Sequence, residues 1–130
     1  MSPGSGLGSL TVQPLSVERV SQEGVELVLV EGELDIATAA RLIGVLNTSV
    51  QDAIQSVVVD LSNVDFMDST GLALLINANR RLSLRRKGFA VVCPPGPLRR
   101  VFELTDMVDT LGVSPDRQSA LARCNGALST

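Results

Sequence analysis

Three dense apolar runs, Val25–Val30, Ser56–Leu61 and Phe89–Cys93, most constrain how this chain can fold. A strand with one wet face alternates apolar and polar residues. The Val57-Val58-Val59 run does not alternate, and so fits a strand covered on both faces. Stretches of helical character follow each run. Strands alternating with helices imply mostly parallel pairing with right-handed crossovers. The 130 residues suit one compact domain, and 45% hydrophobic content supplies its core.

Ahead of the first dense run, Leu10–Arg19 alternates and contains Pro14, which suits an antiparallel edge strand broken or bulged at the proline. Gln22-Glu23-Gly24 makes a tight turn, so the first two strands pair as a hairpin. Gly32-Glu33-Leu34-Asp35 ends the second strand. Ile36–Val50 has helical spacing, with Ala40, Leu42, Ile43, Leu46 and Val50 mainly on one side. Ser56–Asp60 is the third strand and Thr70–Arg86 the second helix, with Gly88 as its left-handed cap. Phe89–Cys93 follows as a strand. Pro97–Thr105 reads as a short helix with Val101 and Leu104 facing in. A last short strand is expected within Val108–Val113, around Leu111. A final helix starts at Ser114-Pro115, serine capping and proline first, and runs to about Gly126.

The expected order is β-β-α-β-α-β-α-(β)-α. In such open sheets, functional loops gather at the carboxyl ends of the parallel strands. Asp35 follows the second strand and Asp68-Ser69 the third. Both are therefore expected on one rim.

Composition removes most enzyme classes. There is no histidine, so no Ser-His-Asp triad, Cys-His pair or phosphohistidine relay. Cys93 and Cys124 form no CxxC pair and cannot make a zinc site; they read as buried thiols, with a regulatory disulfide left open. No metal and no cofactor is expected. A net charge of −3 and the lack of Trp and Tyr argue against direct nucleic-acid binding. The cluster Arg80, Arg81, Arg85, Arg86 and Lys87 reads as cations complementing the dipole of their own helix and solvating its outer face. No window suits a transmembrane helix, and residues 1–9 read as a flexible segment without signal-peptide character. The expectation is a cytoplasmic protein without membrane contact, a monomer or weak dimer.

Asp68-Ser69-Thr70-Gly71 places hydroxyls where a strand ends and a helix begins. Asp, Ser and Thr are all good N-caps, worth about 1 kcal/mol when used. A helix N-terminus also tolerates a phosphate, so cap and switch both stand. Gly71 weakens the helix start, which a close approach of backbone or room for a phosphate would explain. Leu72–Ile76 is apolar all round, consistent with burial on two sides or with an exposed contact patch. Asp35 reads first as a cap for the helix beginning near Ile36. Glu33, Asp35 and Asp68 together would form an acidic rim.

Val59–Leu72 (VDLSNVDFMDSTGL) resembles the signature of STAS domains, and more narrowly that of bacterial anti-sigma factor antagonists. Gly32-Glu33-Leu34-Asp35 followed by Thr38 is similar to the family's other hallmark. Pro97–Thr105 is similar to its loop and short helix. The likeness spans about Leu10 to Ala122 and shows no departure at the phosphorylation motif. It implies a STAS fold: a mixed, mostly parallel sheet of four to five strands, with an antiparallel N-terminal edge strand and about four helices. The STAS domain is placed at residues 10–126, with 127–130 as a tail.

The resemblance implies that the unphosphorylated protein binds an anti-sigma factor that is also a serine kinase, releasing a sigma factor. The kinase then modifies the first hydroxyl of the motif, here Ser69, with Thr70 as rival acceptor. Binding is lost, and a serine phosphatase resets the protein. Such a protein is a substrate and not an enzyme. The implied contact residues are Glu33, Asp35, Thr38, Asp68, Ser69, Thr70, Gly71, Leu72 and Leu74. Two alternatives stand beside this: an unphosphorylated STAS scaffold subunit of a signalling or transport assembly, and a small-molecule or catalytic domain built on the acidic rim.

Overall fold

The computed structural model describes the backbone of residues 15–129 and the side chains of residues 15–124. Among the described residues, five strands form one sheet in the order β1-β2-β3-β4-β5. They are β1 (Ser16–Gln22), β2 (Val25–Leu34), β3 (Ser56–Met67), β4 (Gly88–Val92) and β5 (Val113–Ser114). β1 pairs antiparallel with β2, and every other pairing is parallel. The helices are α1 (Ala39–Asp52), α2 (Ser69–Leu84), α3 (Pro97–Leu104) and α4 (Arg117–Ser129). The expected mixed sheet with its antiparallel edge strand is present. Residues 10–14 of the expected edge strand, Pro14 included, lie outside the described residues.

The β1–β2 turn has both central residues at positive φ, Glu23 at 53° and Gly24 at 85°. That geometry matches the twist of a hairpin and favours glycine. The apolar runs then behave as their lack of alternation requires. Val57, Val59 and Val91 face a core shared with Leu42, Leu46, Leu75, Leu82 and Phe102 of α1, α2 and α3. Val58, Ala90 and Val92 face Ala120 and Cys124 of α4. Three helices therefore cover one face of the sheet and one helix covers part of the other.

Several local expectations are corrected. β2 ends at Leu34, within Gly32–Asp35 as expected, but β3 runs on from Asp60 to Met67. β3 holds its partner despite register shifts at Leu29/Glu31 and Gly32/Glu33, where it carries an extra residue each time. These bulges break the alternation that marks a strand in sequence. α1 starts at Ala39, and its buried side is Ala39, Leu42, Leu46, Ser49 and Val50; Ala40 and Ile43 are exposed. The left-handed residue after α2 is Arg86, at φ 59°, and not Gly88, which opens β4 under Cys124. α3 buries Phe102 and turns Leu104 out, because only the Phe102 side of this short helix meets the sheet. β5 is Val113–Ser114, and the segment before it is turns. The cap of α4 is Asp116, whose carboxylate accepts from Ser119 N at 2.7 Å; Ser114 is taken up in β5.

Arg80 and Arg86 are exposed and Arg81 sits in the last turn of α2, as expected, but three of the five cations also reach a neighbouring helix. Arg81 donates to Asn47 Oδ1 at 2.6 Å, Arg85 to the Val50 carbonyl at 3.2 Å, and Lys87 to the Ala53 carbonyl. These cations close the C-terminal end of the neighbouring helix, α1, whose last carbonyls lack helical partners.

Candidate functional site

The site is built where β2 and β3 end side by side. Leu34 and Met67 are register partners, and the Asp68 N–H donates to the Leu34 carbonyl at 3.1 Å. Asp35 and Asp68 therefore leave the sheet from neighbouring strands at one rim.

After β2 the chain makes a self-bonded turn. The Asp35 carboxylate accepts from Ala37 N at 2.9 Å and Thr38 N at 3.1 Å. The Thr38 hydroxyl donates to the Glu33 carbonyl at 2.8 Å and accepts from Asp35 N at 3.0 Å. Asp35 thus caps the turn that leads into α1, one step before the helix itself. Thr38 holds the turn together, and its hydroxyl is engaged within the protein.

After β3, Asp68 is the N-cap of α2. Its Oδ1 accepts from Thr70 N at 2.9 Å and Gly71 N at 3.4 Å. The competition among three capping residues is decided by this pair of bonds. Ser69 is exposed, and its hydroxyl has no hydrogen-bond partner among the described residues; Thr70 is half-buried. The helix start has its cap without using Ser69.

Gly71 is buried because the first turn of α2 rests on the strand ends. A Cβ there would lie 2.5 Å from Met67 Cγ and 2.8 Å from Leu34 Cγ. The close approach is to side chains, and no space for a phosphate exists at this point. Leu75 is fully buried, Leu72 and Leu74 are half-buried against the core, and Ala73 and Ile76 face solvent. The apolar helix start thus divides between core and surface.

Two apolar residues at the rim escaped the sequence reading. Phe66 is 50% exposed and Ile36 79%. Phe66 is the register partner of Glu33. The second β3 bulge, between Val64 and Phe66, is what turns Met67 into the core and Phe66 out, and no local pattern announces it. Among the described residues, no three His, Cys, Asp or Glu side chains converge as a metal site.

A profile of the STAS domain matches residues 16–120 of this chain. The chain belongs to the STAS domain family. An anti-sigma-B factor antagonist of Staphylococcus aureus is 34% identical over 100 residues, covering 77% of this chain and 93% of that protein. Among solved structures, an anti-sigma factor antagonist from Mycobacterium paratuberculosis matches with a TM-score of 0.80 and 31% identity, over 88% of this chain and 99% of that one. Bacillus SpoIIAA in its unphosphorylated form shares the fold, with a TM-score of 0.67 and 22% identity over 86% and 96% of the two chains. The rim described above carries residues on which the resemblance rests: Asp35 and Thr38 in the turn after β2, and Asp68 to Leu72 after β3.

Proposed function

We propose that this STAS domain is an anti-sigma factor antagonist whose binding is switched off by phosphorylation of Ser69. The observation that carries the reading is the exposed, unpartnered Ser69 hydroxyl beside a cap that Asp68 already supplies. A hydroxyl free of structural duty can be modified without unfolding the helix start. Support comes from relatives named anti-sigma-B factor antagonist and from SpoIIAA, a protein of this fold solved in a phosphorylated form. The partners are an anti-sigma factor serine kinase and a serine phosphatase, and the setting is the cytoplasm.

The switch works through charge. A phosphate brings about −1.5 to −2 charges at pH 7. Helix N-termini ordinarily welcome anions, but here the Thr70 and Gly71 N–H groups already serve the Asp68 carboxylate. A phosphate on Ser69 therefore meets a carboxylate where it would have met free donors. Unit charges 4 Å apart repel by about 1 kcal/mol even in bulk water, and by more where a partner excludes solvent. Each ~1.4 kcal/mol lost weakens binding tenfold. The backbone has no reason to rearrange.

Incubation with the purified anti-sigma factor kinase and ATP tests the reading. One phosphate on Ser69, absent in Ser69→Ala, with weaker binding of the modified form, is the expected result. Modification of Thr70 alone, or equal binding of both forms, overturns the switch.

A further inference from the structure

Phe66 is a large aromatic left in water three residues before the candidate acceptor. The chain has no Trp or Tyr, and the other two phenylalanines, Phe89 and Phe102, are buried. Its exposure is fixed by the fold. The β3 bulges put Met67 into the core beneath α2, so Phe66 is directed outward beside Glu33. Ile36, still more exposed, stands just beyond the end of the paired strand.

The charges at this end of the sheet are mostly acidic, and Arg117, which lines a groove with Glu31 and Asn63, is already paired with Asp60. Glu31 and Glu33 on β2, Asp35 after it, Asp65 on β3 and Asp68 after it all lie at this end of the sheet. None of them forms an ion pair among the described residues, whereas Glu26, Asp52, Asp60, Glu103 and Asp109 elsewhere each do. An uncompensated acidic collar repels nucleic acid and anionic membranes and attracts a cationic protein surface. Buried aromatic anchors ringed by polar contacts are the usual source of binding energy in such interfaces.

We propose that Phe66, with Ile36 exposed at the same end of the sheet, is the apolar anchor of the partner interface, received by an apolar pocket ringed with Lys and Arg on the anti-sigma factor. This rests on the antagonist reading of the rim and extends the contact surface beyond α2 and the Asp35 turn to the outer side of the sheet.

The test compares binding of the purified anti-sigma factor kinase to wild type, Phe66→Ala and Leu84→Ala. Leu84 is 81% exposed at the far end of α2 and serves as the control. Phe66→Ala should weaken binding at least about tenfold with little change in melting temperature, and Leu84→Ala less than twofold. Phe66→Trp gives an independent readout, because it installs the only tryptophan in a chain that has none. Its emission, with the partner's own subtracted, should shift to the blue on binding and become shielded from iodide. Wild-type binding with Phe66→Ala within twofold, or a bound Phe66→Trp that keeps its free spectrum, overturns the anchor and leaves the antagonist reading intact. Absence of any wild-type binding overturns both.

Discussion

Any side chain at Gly71 would collide with Leu34: an added Cβ would stand 2.8 Å from both Leu34 Cγ and Cδ2. Leu34 is fully buried and Met67 nearly so, so neither has room to withdraw. The first turn of α2 is thereby held at a fixed height above the ends of β2 and β3. Ser69 and Asp68 sit on that turn, so the glycine sets where the switch stands relative to Asp35.

Gly71→Ala tests this. Alanine is better than glycine inside a helix by about 1 kcal/mol. Overpacking a dense core costs about 1–3 kcal/mol. The clash reaches two buried side chains at once, so it should win. The expected net loss is up to about 2 kcal/mol, a fall of up to roughly 8 °C in melting temperature for a domain of this size. Thermal unfolding followed by circular dichroism checks it, and a Gly71→Ala protein as stable as wild type would show that the turn can rise at no cost.

The Asp68 carboxylate both caps α2 and supplies negative charge beside Ser69, and the two roles separate by substitution. Asparagine caps about as well as aspartate. Asp68→Asn should therefore melt within a degree or two of wild type, while Asp68→Ala loses about 1 kcal/mol. In binding to the anti-sigma factor kinase, Ser69→Glu should weaken wild type by about tenfold and the Asp68→Asn protein by less. A coupling of about 0.5–1 kcal/mol in that double-mutant cycle is expected. Additive effects would mean that the carboxylate plays no part in the switch.

Much of this architecture is legible in the chain because β4 and the first half of β3 are covered on both faces. Runs such as Val57-Val58-Val59 leave no other reading, and strands that alternate with helices place Asp35 and Asp68 on one rim. What escapes is whatever depends on register. The bulges in β3 add one residue each, so Val64 and Met67 reach the core at intervals that no simple period matches. The strand therefore reads as ending at Asp60, and Phe66 is missed. Helix ends escape for a similar reason. Ile36 continues the helical spacing of α1 yet projects from the turn that Asp35 and Thr38 bond into place. Ser114 has the chemistry of a cap, but the pairing of Val92 with Ser114 draws it into the sheet and leaves capping to Asp116.

The two cysteines should be inert in the native protein. Cys93 packs with the core beneath α1, α2 and α3, and Cys124 lies on α4 across the sheet. Burial pushes the Cys93 thiol up to about 11, with Arg99 opposing only in part. Burial raises the Cys124 thiol as well. Thiols held above their ordinary range stay protonated at pH 8, and the thiolate is the nucleophile. Ellman's reagent at pH 8 should therefore label both cysteines in urea and neither promptly in buffer. One fast equivalent in buffer would reveal an opening of the α4 face or of the β4 end.

The ion pair between Asp60 and Arg117 gives a stability that depends on pH with a definite sign. Arg117 Nε donates to Asp60 Oδ2 at 2.7 Å, and Ser62 N donates to Oδ1 at 2.9 Å. Burial acts to raise the Asp60 carboxyl. The bonds from Ser62 and Arg117 outweigh it and hold the group below its ordinary value of 3.8. A carboxyl lowered in the folded state binds fewer protons there than in the unfolded chain. Its contribution is complete above the unfolded value of about 3.9 and is lost as pH falls through the lower folded value. The pair joins the first turn of α4 to β3, so Arg117→Ala leaves a nearly buried carboxylate without its cation. Urea unfolding should find Arg117→Ala clearly less stable than wild type at pH 7. The gap should narrow as pH drops below about 4. A gap that stays constant down to pH 2.5 would assign the loss to packing of the Arg117 side chain and remove the electrostatic account.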